Sequence, residues 1–290
     1  MRILAGGSLG LIMALAGLPL AGCESIPQTD NLTTNASLAQ TPSPSPETKV
    51  KAEDDPGRSE GMLRLAADLE SRGEQGTALS FYERAAAASS GDPGINIKVG
   101  DAFLRLGYPV NAAGAYRAAL TRAPENGRAL LGLGSALVRN GEVEQGLSHL
   151  AKAAPLVNTA AAYDRLGLAH VMVGQPREAL ASFEQAHSMD AQDIDISTNL
   201  ALAAALAGQH DKAIDLMKVV SRRPDAGPQH KRNLVLVMGI AGRGADAKAT
   251  VKDLSPETVQ SLLDQAASIR GMSSAKARAL ALGTAATATR

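Results

Sequence analysis

The stretch PGINIKVGDAFLRLGYPVNAAGAYRAALTRAPEN, Pro93–Asn126, decides the fold. Val99 and Phe103 lie at i and i+4 and share one helical face. Gly100 falls between them and leaves room for a neighbouring backbone. Gly107 breaks the pattern and marks a turn. Ala112, Tyr116 and Ala119 then fall at i, i+4 and i+7, again on one face. Pro124 has no N–H to continue a helix and closes the second one. The stretch therefore reads as two helices joined by a tight turn. Each helix carries one apolar stripe, and a hairpin this small cannot bury both. It requires copies of itself on either side.

The copies are present. Leu65, Ala66, Gly73, Ala78, Tyr82 and Ala85 fill the same slots upstream. Leu133, Gly134, Gly141, Gly146, Leu150 and Ala153 fill them downstream. The next copy arrives one residue early, after Pro155, with Leu166, Gly167, Gly174, Ala179, Phe183 and Ala186. Leu200, Ala201, Gly208, Ala213, Met217 and Val220 follow. A weaker copy begins near Pro228, with Leu234, Met238, Gly242 and Ala247. Gly100, Gly134, Gly167, Ala112, Ala179 and Ala213 are expected where paired helices cross, because only small residues allow close approach there.

This pattern resembles the tetratricopeptide repeat (TPR). That repeat places a large residue at position 7, a small one at 8, Gly near 15, Ala at 20, an aromatic at 24 and Ala at 27. The chain departs from it at position 4, where the usual Trp is Met62, Asn96, Leu130, Tyr163 and Ser197, and at position 32, which is Pro only at Pro124. The resemblance implies an all-α TPR solenoid of about five to six helical hairpins over residues 59–252. A C-terminal segment, 253–290, is expected to cap it. There, Ser255-Pro256-Glu257 reads as an N-cap, a first-turn Pro and an acid at the positive helix end. A helix is expected from there to about Arg270, then a short one over Ser274–Leu282, with a frayed tail from Gly283.

The chain begins differently. Arg2 is the only charge before Glu24, and Ile3–Leu20 is an apolar run. Leu20-Ala21-Gly22-Cys23 resembles the lipobox of bacterial lipoproteins. The resemblance implies a signal peptide over 1–22, cleavage before Cys23 and acylation of that thiol. A transmembrane anchor is the alternative, but the run is marginal in length and ends in small residues. Glu24 after the Cys, by the enterobacterial sorting pattern, implies passage to the periplasmic face of the outer membrane. Residues 24–58 are rich in Pro, Ser, Thr, Asn and Gln and poor in large apolar residues. They read as a disordered tether, spanning about 30 Å as a flexible coil.

Composition narrows the function. The chain has 29 basic and 29 acidic residues, no Trp and one Cys. Without a basic run it has no nucleic-acid footprint, and without a second Cys it can form no internal disulfide. Gly6-Gly7-Ser8-Leu9-Gly10 matches a nucleophile-elbow pattern but lies in the signal segment, with no strand before it. His149, His170, His187, His210 and His230 have no metal-ligand spacing, and His170 falls at a core position of its repeat. Asp68, Glu70 and Glu74 read as a solvated helix face. No catalytic set, cofactor, metal or small-molecule substrate is expected, and the chain reads as a non-enzyme.

In TPR arrays the first helices of successive repeats line a concave groove. The matching slots here give Arg105, Arg139, Asp164 and Asn199, with Leu131, Leu168 and Leu202 supplying apolar contact. Arginines on adjacent repeats suit a carboxylate or a row of peptide carbonyls, since each guanidinium offers a fixed fork of donors. Solvated charges on an exposed face are the alternative for either Arg alone.

The C-terminal run Asn233-Leu234-Val235-Leu236, Ala241-Gly242-Arg243 and Asp253-Leu254-Ser255-Pro256-Glu257 is similar to that of the TadD-like lipoproteins of the Tad (tight adherence) system. That resemblance implies a scaffold supporting assembly or localisation of the outer-membrane secretin through which the Flp pilus emerges. The partners would be the secretin or other assembly proteins, with the membrane engaged through lipid on Cys23. Two further readings stand beside it: a pilotin-like TPR lipoprotein of a type IV pilus or type II secretion system, and a TPR adaptor for cell-wall synthesis. A more distant one makes the array an accessory part of an enzyme.

Overall fold

The computed structural model describes residues 56–89 and 92–287. The signal segment, Cys23 and the tether up to residue 55 lie outside the described residues. Among these there are fourteen α-helices and no strand. Six hairpins follow in order: α1 (Pro56–Ser71) with α2 (Gln75–Ala88), α3 (Pro93–Leu106) with α4 (Pro109–Arg122), and α5 (Gly127–Arg139) with α6 (Val143–Val157). Then come α7 (Ala160–Val173) with α8 (Pro176–Met189), α9 (Ile194–Leu206) with α10 (His210–Ser221), and α11 (Pro228–Ile240) with the short α12 (Gly244–Thr250). Two more helices, α13 (Pro256–Gly271) and α14 (Ala275–Thr287), end the described chain.

The turn inside each hairpin is built one way. Gly73, Gly107, Gly141, Gly174, Gly208 and Gly242 all adopt a left-handed backbone, with φ between 76° and 87°. The residue after each glycine donates its N–H back to the last turn of the first helix, as Tyr108 does to the Phe103 carbonyl at 2.8 Å. This closes the orphan carbonyls of that helix. Several first helices start on a side-chain cap: Asp92 accepts from the Gly94 N–H, Asn126 from Ala129, Thr159 from Ala162 and Asp193 from Ile196. The repeat that comes one residue early is joined through Asn158, the one non-glycine residue with positive φ among those described.

The crossings depend on small residues. A Cβ on Gly100 would stand 2.8 Å from the Tyr116 ring, and one on Gly167 2.7 Å from Phe183. Gly134 faces both the Leu150 side chain, at 2.7 Å, and the backbone carbonyl of Gly146, at 2.9 Å. Ala112, Ala179 and Ala213 are fully buried. Gly132 falls outside the repeat slots, yet its missing side chain makes room for a neighbour as well. A Cβ there would lie 2.2 Å from Tyr116, so that ring is held between Gly100 of its own repeat and Gly132 of the next.

From α3 on, each first helix also packs on the second helix of the preceding repeat, and the buried apolar residues form three successive clusters along the stack. Leu65 is the exception. Its counterparts Val99, Leu133, Leu166, Leu200 and Leu234 are buried, while Leu65 is 43% exposed, because no described helix precedes α1. The first helices α1, α3, α5, α7, α9 and α11 each touch the next member of that series. No second helix makes a comparable contact with the next second helix. The first helices therefore form the inner face of a curved stack.

Three expectations need correction. Pro56–Arg58 belong to α1 rather than to the tether, with Pro56 at the helix start, where its missing N–H costs nothing. Gly283–Thr287 are helical, and α14 runs through Thr287. The end segment also has two roles rather than one. Helix α13 starts on the Ser255 cap and packs on α11 and α12, covering the last hairpin. Helix α14 turns back and packs against α7, α9 and α11, inside the concave face.

Candidate functional site

The concave face divides into two halves of different chemistry. The first half is formed by α1, α3 and α5. Arg105 grips Glu70 through two bonds, Nε to Oε1 at 2.7 Å and Nη2 to Oε2 at 2.8 Å. Tyr82 donates its hydroxyl to the same carboxylate at 2.8 Å. The Arg105 contact holds the Glu70 carboxyl below its usual range. Burial, with Glu70 beside it, pushes the Tyr82 hydroxyl up to about 12. Glu70 is thus a pin between repeats and not a solvated acid. Asp101 does the same one repeat on, accepting from Tyr116 at 2.7 Å and from Arg128 at 2.5 Å.

Arg139 donates from Nη1 to the Leu104 carbonyl at 2.8 Å. That bond and the Glu70–Arg105 pair each span 35 residues, one repeat plus one. The two guanidiniums therefore tie α3 to α1 and α5 to α3. Both remain exposed, so each keeps donors toward the groove. Leu131 is buried and contributes to the core between α5 and α7 rather than an open apolar patch.

The second half is formed by α7, α9 and α11. Asn199 donates to Asp164 at 3.0 Å, again across 35 residues. Burial pushes the Asp164 carboxyl up to about 6, with Asp193 and Asp195 adding repulsion. Leu168 and Leu202 are partly buried and pack against the core cluster that contains Leu282 of α14. Asp164, Asn199, Leu168 and Leu202 thus lie on α7 and α9, the helices against which α14 packs, while Leu131 lies in the core. His170 is half-buried, with Nδ1 2.7 Å from Gln175 Oε1, so it braces the turn at Gly174 instead of facing the core. Among the described residues no group of three or more His, Cys, Asp or Glu could hold a metal.

Asp164 gives a prediction with a definite sign. Its folded-state pKa lies above the ordinary 3.8, so the folded chain binds more protons than the unfolded chain between about pH 4 and 6. Stability from this group is present at low pH and is lost as pH rises through about 6. Asp164→Asn keeps an oxygen acceptor for Asn199 without the charge. It is expected to raise stability at pH 7.5 by about 1–2 kcal/mol, with no gain at pH 4. Urea melts at the two pH values check this, and an equal effect at both would remove the electrostatic account.

Two tetratricopeptide-repeat models match the sequence, over residues 98–164 and 170–232. Solved structures of similar fold include PilF of Pseudomonas aeruginosa, with a TM-score of 0.54 and 16% identity, covering 72% of this chain and 98% of that one. MamA of Desulfovibrio magneticus RS-1 is similar at a TM-score of 0.51 and 21% identity, covering 56% of this chain and 93% of that one. No curated protein matches the sequence. At these identities the likeness is one of fold. The described chain is an all-α tetratricopeptide-repeat solenoid, a scaffold for protein–protein interaction.

Proposed function

We propose that this chain is a lipid-anchored scaffold on the periplasmic face of the outer membrane. In this reading it supports assembly of a Tad (Flp) pilus machine by holding a segment of the secretin or of a neighbouring assembly protein. The observation that carries the reading is the order of features along the chain. A lipobox Cys23 is followed by a Pro/Ser-rich tether, then the repeat array, then the Asp253–Glu257 step into a closing helix. The step is built as a working cap, with Ser255 Oγ accepting from the Thr258 N–H and Pro256 at the first helical position. The tether gives the array a reach of about 30 Å from the membrane surface. The first half of the concave face, with exposed Arg105 and Arg139, is where the partner segment docks.

Deleting the gene is expected to abolish surface pili and to deplete secretin multimers from the outer membrane, with recovery on complementation. Unchanged piliation and secretin assembly would reject the pilus role. Arg105→Glu with Arg139→Glu, in a variant whose helical melt and lipidation are intact, is expected to lose secretin co-purification at least tenfold. Retention of the secretin by that folded variant would move the docking site elsewhere. The melt is essential, because Glu at position 105 would stand against Glu70.

A further inference from the structure

The second half of the concave face already holds a ligand-like helix. Helix α14 presents Ala279, Leu282 and Ala286 on one side, at i, i+3 and i+7, and all three are buried. Leu282 joins the core cluster shared with α9, α11 and α13, against which Leu168, Val171, Leu202 and Leu206 pack. The approach at the start of α14 is close. A Cβ on Gly174 would lie 2.7 Å from the backbone nitrogen of Lys276, so the turn at Gly174 has no side chain to hold α14 away.

The attachment of α14 is nevertheless light. Its buried face has one large side chain between two alanines. Lys276 reaches Glu144 at 3.5 Å, with both side chains more than half exposed. Arg278 donates to the Met272 carbonyl, inside the connection to α13 itself. That connection is the short segment Met272–Ser274. By contrast α13 is fixed to α11 by Val259, Leu262, Ala266 and Ile269, and by Arg270 donating to the Gly239 carbonyl. A light helix on a short hinge, seated on the face that such arrays use for partners, fits an occupant that can leave. What replaces it has to match the same surface.

We propose that α14 is a displaceable internal ligand, and that the face of α7, α9 and α11 takes a partner helix carrying small, Leu and small residues at i, i+3 and i+7. Such a helix binds only as α14 leaves, so the two compete for Leu168 and Leu202. The inference rests on the concave face being a partner groove, but its test needs no pilus component. Its failure would leave the docking role of Arg105 and Arg139 standing.

The probe is a fluorescein-labelled peptide of residues 273–290 of this chain, offered to the purified mature protein in detergent. The unaltered protein, with α14 in place, is expected to bind it weakly. A Leu282→Glu, Ala286→Glu variant is expected to bind it at least tenfold more tightly, and to ignore a scrambled peptide. Hydrogen exchange identifies the state of the variant: fast amides over 275–287 with protected α7, α9 and α11 show a released helix on an intact array. Such a variant binding no better than the unaltered protein would overturn the proposal. Should the variant fail to fold, exchange in the unaltered protein decides. Amides of 275–287 are expected to exchange at least tenfold faster than those of α7, α9 and α11, and equal protection would overturn the proposal.

Discussion

Replacing Gly134 by leucine is expected to lower the melting temperature by about 3–10 °C while leaving the chain on the membrane. At this crossing two backbones meet without side chains between them. A Cβ on Gly134 would lie 2.9 Å from the Gly146 carbonyl oxygen, and a Cβ on Gly146 would lie 2.7 Å from the Gly134 carbonyl oxygen. Neither obstacle is the end of a flexible side chain that could swing away. The helices α5 and α6 must separate, and that loosens Leu150 and Leu137, which are both buried. Overpacking of this kind costs about 1–3 kcal/mol or somewhat more. Gly134→Ala should already show part of the loss. Gly114→Ala is the control: its Cβ meets nothing within 4 Å in the middle of α4, so a gain of about 0.5–1 kcal/mol from helix propensity is expected. Differential scanning calorimetry of the three variants checks the set. A Gly134→Leu melt equal to the unaltered one would mean that this crossing does not close as described.

Cys23→Ser is expected to remove lipid labelling altogether and to leave either an uncleaved precursor or a soluble periplasmic form. The argument is chemical. In the lipoprotein reading the Cys23 thiolate is the nucleophile that takes up the lipid, and the chain has no second Cys to substitute. Several acyl chains hold a protein firmly where one holds it only marginally, so loss of the attachment site is close to all-or-none for anchoring. Metabolic labelling with a fatty-acid analogue, followed by fractionation, reads the result. A mature, labelled outer-membrane form of the variant would end the lipoprotein reading. A labelled-free but membrane-integral form of the unaltered chain would favour the transmembrane alternative.

The repeat was legible because its main determinants are local. A left-handed turn needs glycine, and six glycines stand at that turn. A crossing needs a small residue, and Gly100, Gly134 and Gly167 were placed by spacing alone. The ties across the concave face are not legible in the sequence, because they join residues 35 apart through three different kinds of pairing. Glu70 with Arg105 is an ion pair, Arg139 with Leu104 uses a backbone carbonyl, and Asp164 with Asn199 is a carboxylate and an amide. A search for complementary pairs at one repeat plus one would have found the first and the third. The placement of α14 was beyond such a search. Its sequence, AKARALALGTAAT, is weakly amphipathic, and helix α13 already satisfies the need for a cap. Only the three-dimensional direction of the Met272–Ser274 connection sends it into the groove. Leu65 failed for a related reason, since burial at that slot depends on a neighbour and not on the residue itself.

In the proposed function the array docks an assembly partner on its concave face. The direct measurement is in vivo photo-crosslinking from single positions. A photoreactive residue in place of Arg139 samples the inner face on α5, and one in place of Val219, which is 67% exposed on α10, samples the outer face. A crosslink to the secretin or to a neighbouring assembly protein is predicted from position 139 and not from 219. The same partner captured from 219 and not from 139 would contradict the claim.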